Sequence, residues 1–195
     1  MQFKNALLSL VLVFVFCCGA IAADTYAIDP VHSSVGFSVQ HMVISHVTGN
    51  FQDFSGTIVY DEKDASKCSV QVHIKTASID TRNQKRDGDL RSDSFFNASA
   101  FPEITFTSTR IEKTTDGYIA HGALTMHGVS KDIALPFTVS GTIKDPGGRT
   151  RLGAQAGMTI DRQDFGLTYS KTLDNGGLMV GNDVKIDLAV EAVKQ

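Results

Sequence analysis

Apolar residues recur at every second position in one segment after another from Asp24 onward, the pattern of a sheet with one dry face. The cleanest run sets Val184, Ile186, Leu188 and Val190 against Asp183, Lys185, Asp187 and Glu191. A one-residue slip there would put every aliphatic side chain into water, so the register is pinned. The expected fold class is all-β, an antiparallel barrel or sandwich. No catalytic constellation accompanies the pattern, so the function is expected to lie in what the apolar face encloses.

Residues 1–22 read as a cleaved secretory signal: Lys4, an apolar run from Ala6 to Phe16, and Ala20-Ile21-Ala22 as the cleavage site. The run is short for a bilayer span, and Cys17 and Cys18 follow bulky Phe16, unlike a lipoprotein site. Residues 23–195 are then expected to form one domain, with no linker or repeat. Of 3 cysteines only Cys68 remains, so no disulfide can form within that domain and stability must come from the core. Without residues 1–22 the chain carries 17 basic and 21 acidic residues, a net −4, which argues against a nucleic-acid partner or a broadly basic membrane surface.

Strands are expected at Ser34 to Val39, Gly56 to Asp61 and Ser69 to Lys75. The segment His41 to Val47 has no clean period and reads as a short helical turn capping a barrel end. The charged stretch 82–93, preceded by Asp80-Thr81 as N-cap residues, reads as a short helical crossover. A meander follows, with turns at Asp116-Gly117, His127-Gly128 and Asp145-Pro146-Gly147-Gly148, and Asp174-Asn175-Gly176-Gly177 leads to the last strand. About eight strands result, enough for a barrel that holds one small ligand or fills itself. Ala120, Gly122, Ala154 and Ala156 share faces with Leu124, Met126, Met158 and Ile160. Small residues clustered on an inner face point to a tunnel. A tapering barrel filled by phenylalanines from opposite strands is the alternative.

Chemistry is sparse. His73, His121 and His127 fall on outer strand faces, and His41 and His46 lack a nearby cysteine or carboxylate to complete a metal site. No nucleophile elbow or phosphate loop is present. Asp29, His32 and Ser33 supply acid, base and hydroxyl, but sequence neighbours rarely adopt triad geometry. Asn97-Ala98-Ser99 fits a glycosylation sequon that chance produces often.

The residues themselves resemble a known family. Tyr26-Ala-Ile-Asp29-Pro30-Val-His32-Ser33, Val35-Gly-Phe37-Ser38-Val39-Gln-His41-Met42 and Val47-x-Gly49-x-Phe51-x-x-Phe54-x-Gly56 are similar to the opening of the YceI-like family of secreted bacterial proteins. The likeness continues through Arg86-Asp87, Leu90-Arg91-Ser92, Leu124-Thr125-Met126-His127-Gly128 and Asp161-Arg162-x-Asp164-Phe165-Gly166. One departure is Asp89, where the family often has histidine. The resemblance implies an extended, lipocalin-like antiparallel β-barrel in the periplasm, with a long apolar pore for a polyisoprenoid or similar amphiphile.

A carrier of a quinone or polyprenyl phosphate is therefore the leading expectation, with no catalytic cofactor, no metal and transient membrane contact. Alternation and the family blocks nominate Val35, Phe37, Val39, Met42, Ile44, Phe106, Leu124, Met126, Phe137, Met158 and Ile160 for the pore wall. Arg82, Arg86 and Arg91 are headgroup candidates, because guanidinium forks suit anionic oxygens. A structural salt-bridge cluster of Arg86, Asp87 and Arg91 at the barrel rim is the competing reading. The other functional readings are a lipid-modifying hydrolase using Asp29, His32 and Ser33, and a solid β-module acting through its surface. Pairing of two barrels through edge strands and delivery to a membrane redox protein stay open.

Overall fold

The computed structural model describes residues 23–174 and 176–195. The expected signal segment, residues 1–22, lies outside the described residues. The strands are β1 (Asp24–Ile28), β2 (Ser34–His41), β3 (Ser45–Phe51), β4 (Phe54–Tyr60), β5 (Ser69–Lys75), β6 (Ile79–Asp80), β7 (Glu103–Lys113), β8 (Tyr118–Met126), β9 (Val129–Lys144), β10 (Thr150–Asp161) and β11 (Val180–Lys194), with one helix, α1 (Gln84–Arg91).

All of them join one antiparallel sheet in the order β1-β4-β5-β7-β8-β9-β10-β11-β2-β3-β6, and a β1–β11 pairing closes it. Strands β1 and β2 run as one bent strand along β11, and β3 and β4 as one kinked strand beside them, because β1 pairs with β4 and β2 with β3. The closed wall therefore has eight strands. Closure satisfies the backbone groups that an open sheet would leave at its edges. Along β11, Val184, Ile186 and Leu188 face inward while Asp183, Lys185 and Asp187 are exposed. A barrel that crosses a bilayer has the reverse pattern, apolar outside.

Glycine sets one close approach in the wall. At Gly122 a Cβ would lie 2.3 Å from the Thr107 carbonyl oxygen, so β7 and β8 can be this near only without a side chain there. Gly122 answers to that backbone contact, whereas Ala154 and Ala156 answer to the interior.

Three local expectations are corrected. The segment from His41 to Val47 is not a helical turn but the end of the β2–β3 hairpin, with Met42 and Val43 in left-handed conformation. The cap of α1 is Asn83, whose side chain accepts from the Arg86 amide at 3.0 Å; Asp80 belongs to β6. His127 also departs from its expected solvated strand face. It sits in the β8–β9 turn at φ 52, its ring 4.7 Å from Phe101 and its Nδ1 3.3 Å from the Phe165 carbonyl.

Candidate functional site: an apolar cavity inside the barrel

The interior is packed on one side and hollow on the other. Inward residues of β7 and β8 (Ile104, Phe106, Ile111, Ala120, Leu124, Met126) are buried in the main core. Those of β2, β9 and β11 (Val35, Phe37, Val39, Ile133, Leu135, Phe137, Val184, Ile186, Leu188) are only half-buried, although they point into the barrel. On β10, Leu152 and Ile160 are buried while Ala154, Ala156 and Met158 between them are not. The void therefore stands against the alanines. The buried Tyr26–Leu152–Ala192 cluster lies toward one end of β10, and Ile160 packs with Phe165 and Leu167 at the other. The volume of the void is about 260 Å³, and its wall is almost entirely carbon. Both readings of the inner face thus hold in part: Phe106 and its aliphatic neighbours fill the β7–β8 side, and small residues open the other.

Of the predicted wall residues, Val35, Phe37, Val39, Phe106, Leu124, Met126, Phe137, Met158 and Ile160 line this cavity. Met42 and Ile44 do not. The hairpin turn carries them beyond the wall and leaves them 41% and 87% exposed. Leu90, Phe95 and Phe96, from α1 and the loop after it, also line the cavity, and the Phe96 ring meets Phe51 edge-on with centroids 6.1 Å apart. Charge dominates the sequence around them, so nothing in the period-two pattern marks these three as interior.

The three arginines do not converge on the void. Arg86 donates from Nε to the Thr81 hydroxyl at 2.7 Å and from Nη2 to the Thr81 carbonyl at 2.9 Å. Arg91 donates to the carbonyls of Ala77 and Ile79, both at 2.7 Å. Buried Asp87 accepts from the Thr81 amide at 2.8 Å and its hydroxyl at 2.6 Å. Burial pushes the Asp87 carboxyl up, but the Thr81 bonds and the nearby Arg91 and Arg86 charges bring it below its ordinary value. Together these bonds tie α1 to β6. No direct ion pair joins Asp87 to either arginine among the described residues, so the tie runs through Thr81 and backbone carbonyls. Arg82 is exposed, and its guanidinium donates to the Thr48 hydroxyl at 3.5 Å.

Sequence reasoning left Arg162 without a role. It is 4% exposed and lines the cavity, and since that wall is carbon its aliphatic stem is what faces the void. The guanidinium donates to the carbonyls of Gly181 (2.8 Å), Val180 (3.2 Å) and Leu167, which joins the end of β10 to the start of β11. Burial lowers its pKa.

The Asp29–Ser33 stretch forms a network rather than a triad. Asp29 lies 2.9 Å from His32 Nδ1, but the Ser33 hydroxyl donates to the Glu191 carbonyl and accepts from the Glu191 amide. Ser33 is thus a backbone bridge to β11. Arg151 binds Asp29 and Asp145, both at 2.9 Å, and also Glu191. Asp29, His32 and Glu191 are close enough to offer ligand atoms to a cation, but Arg151 already engages both carboxylates. Hydrogen bonds from His32 and then Arg151 hold Asp29 well below the usual carboxylate range, and Arg151 with the Arg149 amide brings Asp145 down to about 2.

A closed antiparallel barrel around a carbon-walled void is the geometry to which known proteins can be compared. The model of the YceI-like domain matches residues 26–192. The chain belongs to the YceI-like family. A UPF0312 protein of Pectobacterium atrosepticum is 40% identical over 195 residues, covering 98% of each chain. The crystal structure of Campylobacter jejuni YCEI protein aligns at 36% identity and TM-score 0.68, over 80% of this chain and 90% of that one. A domain from Saccharophagus degradans shares the fold at 20% identity and TM-score 0.63, over 87% of this chain and 98% of that one. The YceI-like motifs at Asp161-Arg162 and Arg86-Asp87 thus coincide with the two buried ties of the barrel, not with polar contacts inside the void.

Proposed function

We propose that this YceI-like protein encloses a long-chain isoprenoid or similar amphiphilic lipid, of the quinone or polyprenyl phosphate type, and carries it through the periplasm. The observation that carries the reading is the carbon-walled void with half-buried aliphatic side chains around it. Apolar groups facing an unfilled space forgo dispersion contacts that an occupant would restore. The Saccharophagus degradans relative is a polyisoprenoid binding domain, which supports the same ligand class here.

The energetics favour exchange over permanent capture. Each buried methylene contributes roughly 0.8 kcal/mol, and leaving a bilayer costs the same tail a similar amount, so barrel and membrane nearly balance. With almost no nitrogen or oxygen on the wall, the void selects for chain length and shape, and the headgroup stays outside it. A series of isoprenoid alcohols of increasing length, titrated from ethanol, tests this. Affinity should rise about tenfold for every two methylene equivalents, from roughly 0.8 kcal/mol each, until the void is full, and then level off. Affinity independent of length would contradict it.

A further inference from the structure

Six large apolar side chains stand exposed among the described residues: Val31, Met42, Val43, Ile44, Ile143 and Leu178. Four of them gather at one place. Met42, Val43 and Ile44 form the β2–β3 turn, with exposures of 41%, 48% and 87%. The Met42 amide donates to the Met179 carbonyl at 2.9 Å, which brings Leu178, 36% exposed, alongside.

Tight hairpin turns with positive φ ordinarily use Asn, Asp or Gly. Here Met42 has φ 51 and Val43 has φ 67, and a β-branched residue in that region is strained. The turn is nevertheless fully built. Gln40 Nε2 donates to the Val43 carbonyl at 3.1 Å, and the Ile44 amide and Ser45 hydroxyl both donate to the His41 carbonyl at 3.3 Å. Backbone strain is thus accepted in a position that displays three apolar side chains to solvent.

The location narrows the partner. Val39, three residues before Met42, and Val180, next to Met179, both line the cavity, so the tip continues the cavity wall outward. No acid occurs between Gln40 and Thr48 in a chain of net charge −3. Arg82 donates to the Thr48 hydroxyl, and the backbone carbonyl of exposed Lys171 accepts from the Met179 amide at 2.8 Å, so two cationic residues belong to the segments that meet the hairpin; Asp174 and Asp183 lie on the adjoining segments. A convex apolar point offers little area to a rigid protein surface, whereas a fluid bilayer closes around it.

We propose that Met42, Val43 and Ile44, with Leu178, form a membrane finger. It inserts into an anionic phospholipid bilayer while Arg82 and Lys171 meet the phosphates. The finger rests on the carrier reading for its purpose, because a water-insoluble chain is exchanged where barrel and bilayer touch. It explains how a barrel with a polar outer wall reaches the membrane that holds its cargo.

Flotation with vesicles of phosphatidylglycerol and phosphatidylethanolamine tests the finger, using protein without residues 1–22, whose barrel is complete from Asp24. The wild type should float, and Ile44→Asp should lower the bound fraction at least tenfold. Val43→Asn should also weaken binding while raising Tm, since Asn tolerates the left-handed region that strains valine. Variants that float like the wild type, or a wild type that ignores the vesicles, would overturn the proposal. So would a wild type that self-associates instead, with Ile44→Asp monomeric. Uptake of an isoprenoid alcohol from ethanol, without vesicles, should match in wild type and Ile44→Asp; loss of that uptake in the variant also counts against the finger. If neither takes up the alcohol yet only the wild type floats, the carrier reading fails and the finger stands.

Discussion

Filling the void should stabilise the protein and weaken its binding. Ala156 lies opposite Phe137 on β9 and Leu188 on β11, half-buried between buried Leu152 and Ile160 on its own strand. An Ala156→Phe ring buries roughly 100 Å² more apolar area than a methyl, about 2 kcal/mol before the side-chain entropy cost and about 1–2 kcal/mol after it. For a domain of this size that raises Tm by roughly 2–8 °C. Ala120 is the control. It is 2% exposed within the packed β7–β8 side, so Ala120→Phe should overpack the core and cost about 1–3 kcal/mol. If the ring displaces about four methylenes of ligand, roughly 3 kcal/mol of binding goes, a loss of about a hundredfold. Calorimetry of ligand-stripped protein and equilibrium binding of a radiolabelled isoprenoid measure the two effects. A fall in Tm for Ala156→Phe as large as that for Ala120→Phe would refute the hollow interior.

Asp87→Ala strands the Thr81 amide and should cost about 1–3 kcal/mol in urea unfolding; a loss under about 0.5 kcal/mol would contradict the Thr81–Asp87 tie. Asp29 and Asp145 bind protons more weakly when folded than when unfolded, where aspartate titrates near about 3.9. Their stabilisation is therefore complete above that value and is lost as pH falls through about 2. Urea midpoints should drop across that window and flatten in Arg151→Gln; an unchanged slope in the variant would show that the Arg151 network is not the cause. His32→Ala and Ser33→Ala should leave lipid occupancy unchanged, whereas a lipid-ester turnover that these substitutions abolish would favour the hydrolase.

The strands were legible because one face of each is apolar, and strand count with the family resemblance turned a barrel or sandwich into a barrel: β5 begins and ends where alternation places it, and nine of the wall residues follow from alternation together with the family blocks. Parity fails where the chain leaves the sheet. Met42 and Ile44 fall out of step with Val35, Phe37 and Val39, and two left-handed residues turn the chain away from the wall there. Leu90, Phe95 and Phe96 reach the void from a segment that a period-two search cannot rank. Arg86, Arg91 and Arg162 were visible as motif residues, yet whether a guanidinium meets a ligand or a carbonyl depends on tertiary neighbours such as Thr81, Ala77 and Gly181. Ala154 and Ala156 carried the signal that mattered most, since small inward residues left uncovered by a neighbour are what make a void.

The void should hold one lipid chain. Native mass spectrometry of the protein purified from its own cells without detergent, with solvent extraction of the same sample, tests it most directly. A single stoichiometric adduct with the mass of a polyisoprenoid or comparable long-chain amphiphile, reduced in Ala156→Phe, is the predicted result. A bare protein mass that stays bare after incubation with isoprenoid-loaded vesicles would contradict the account.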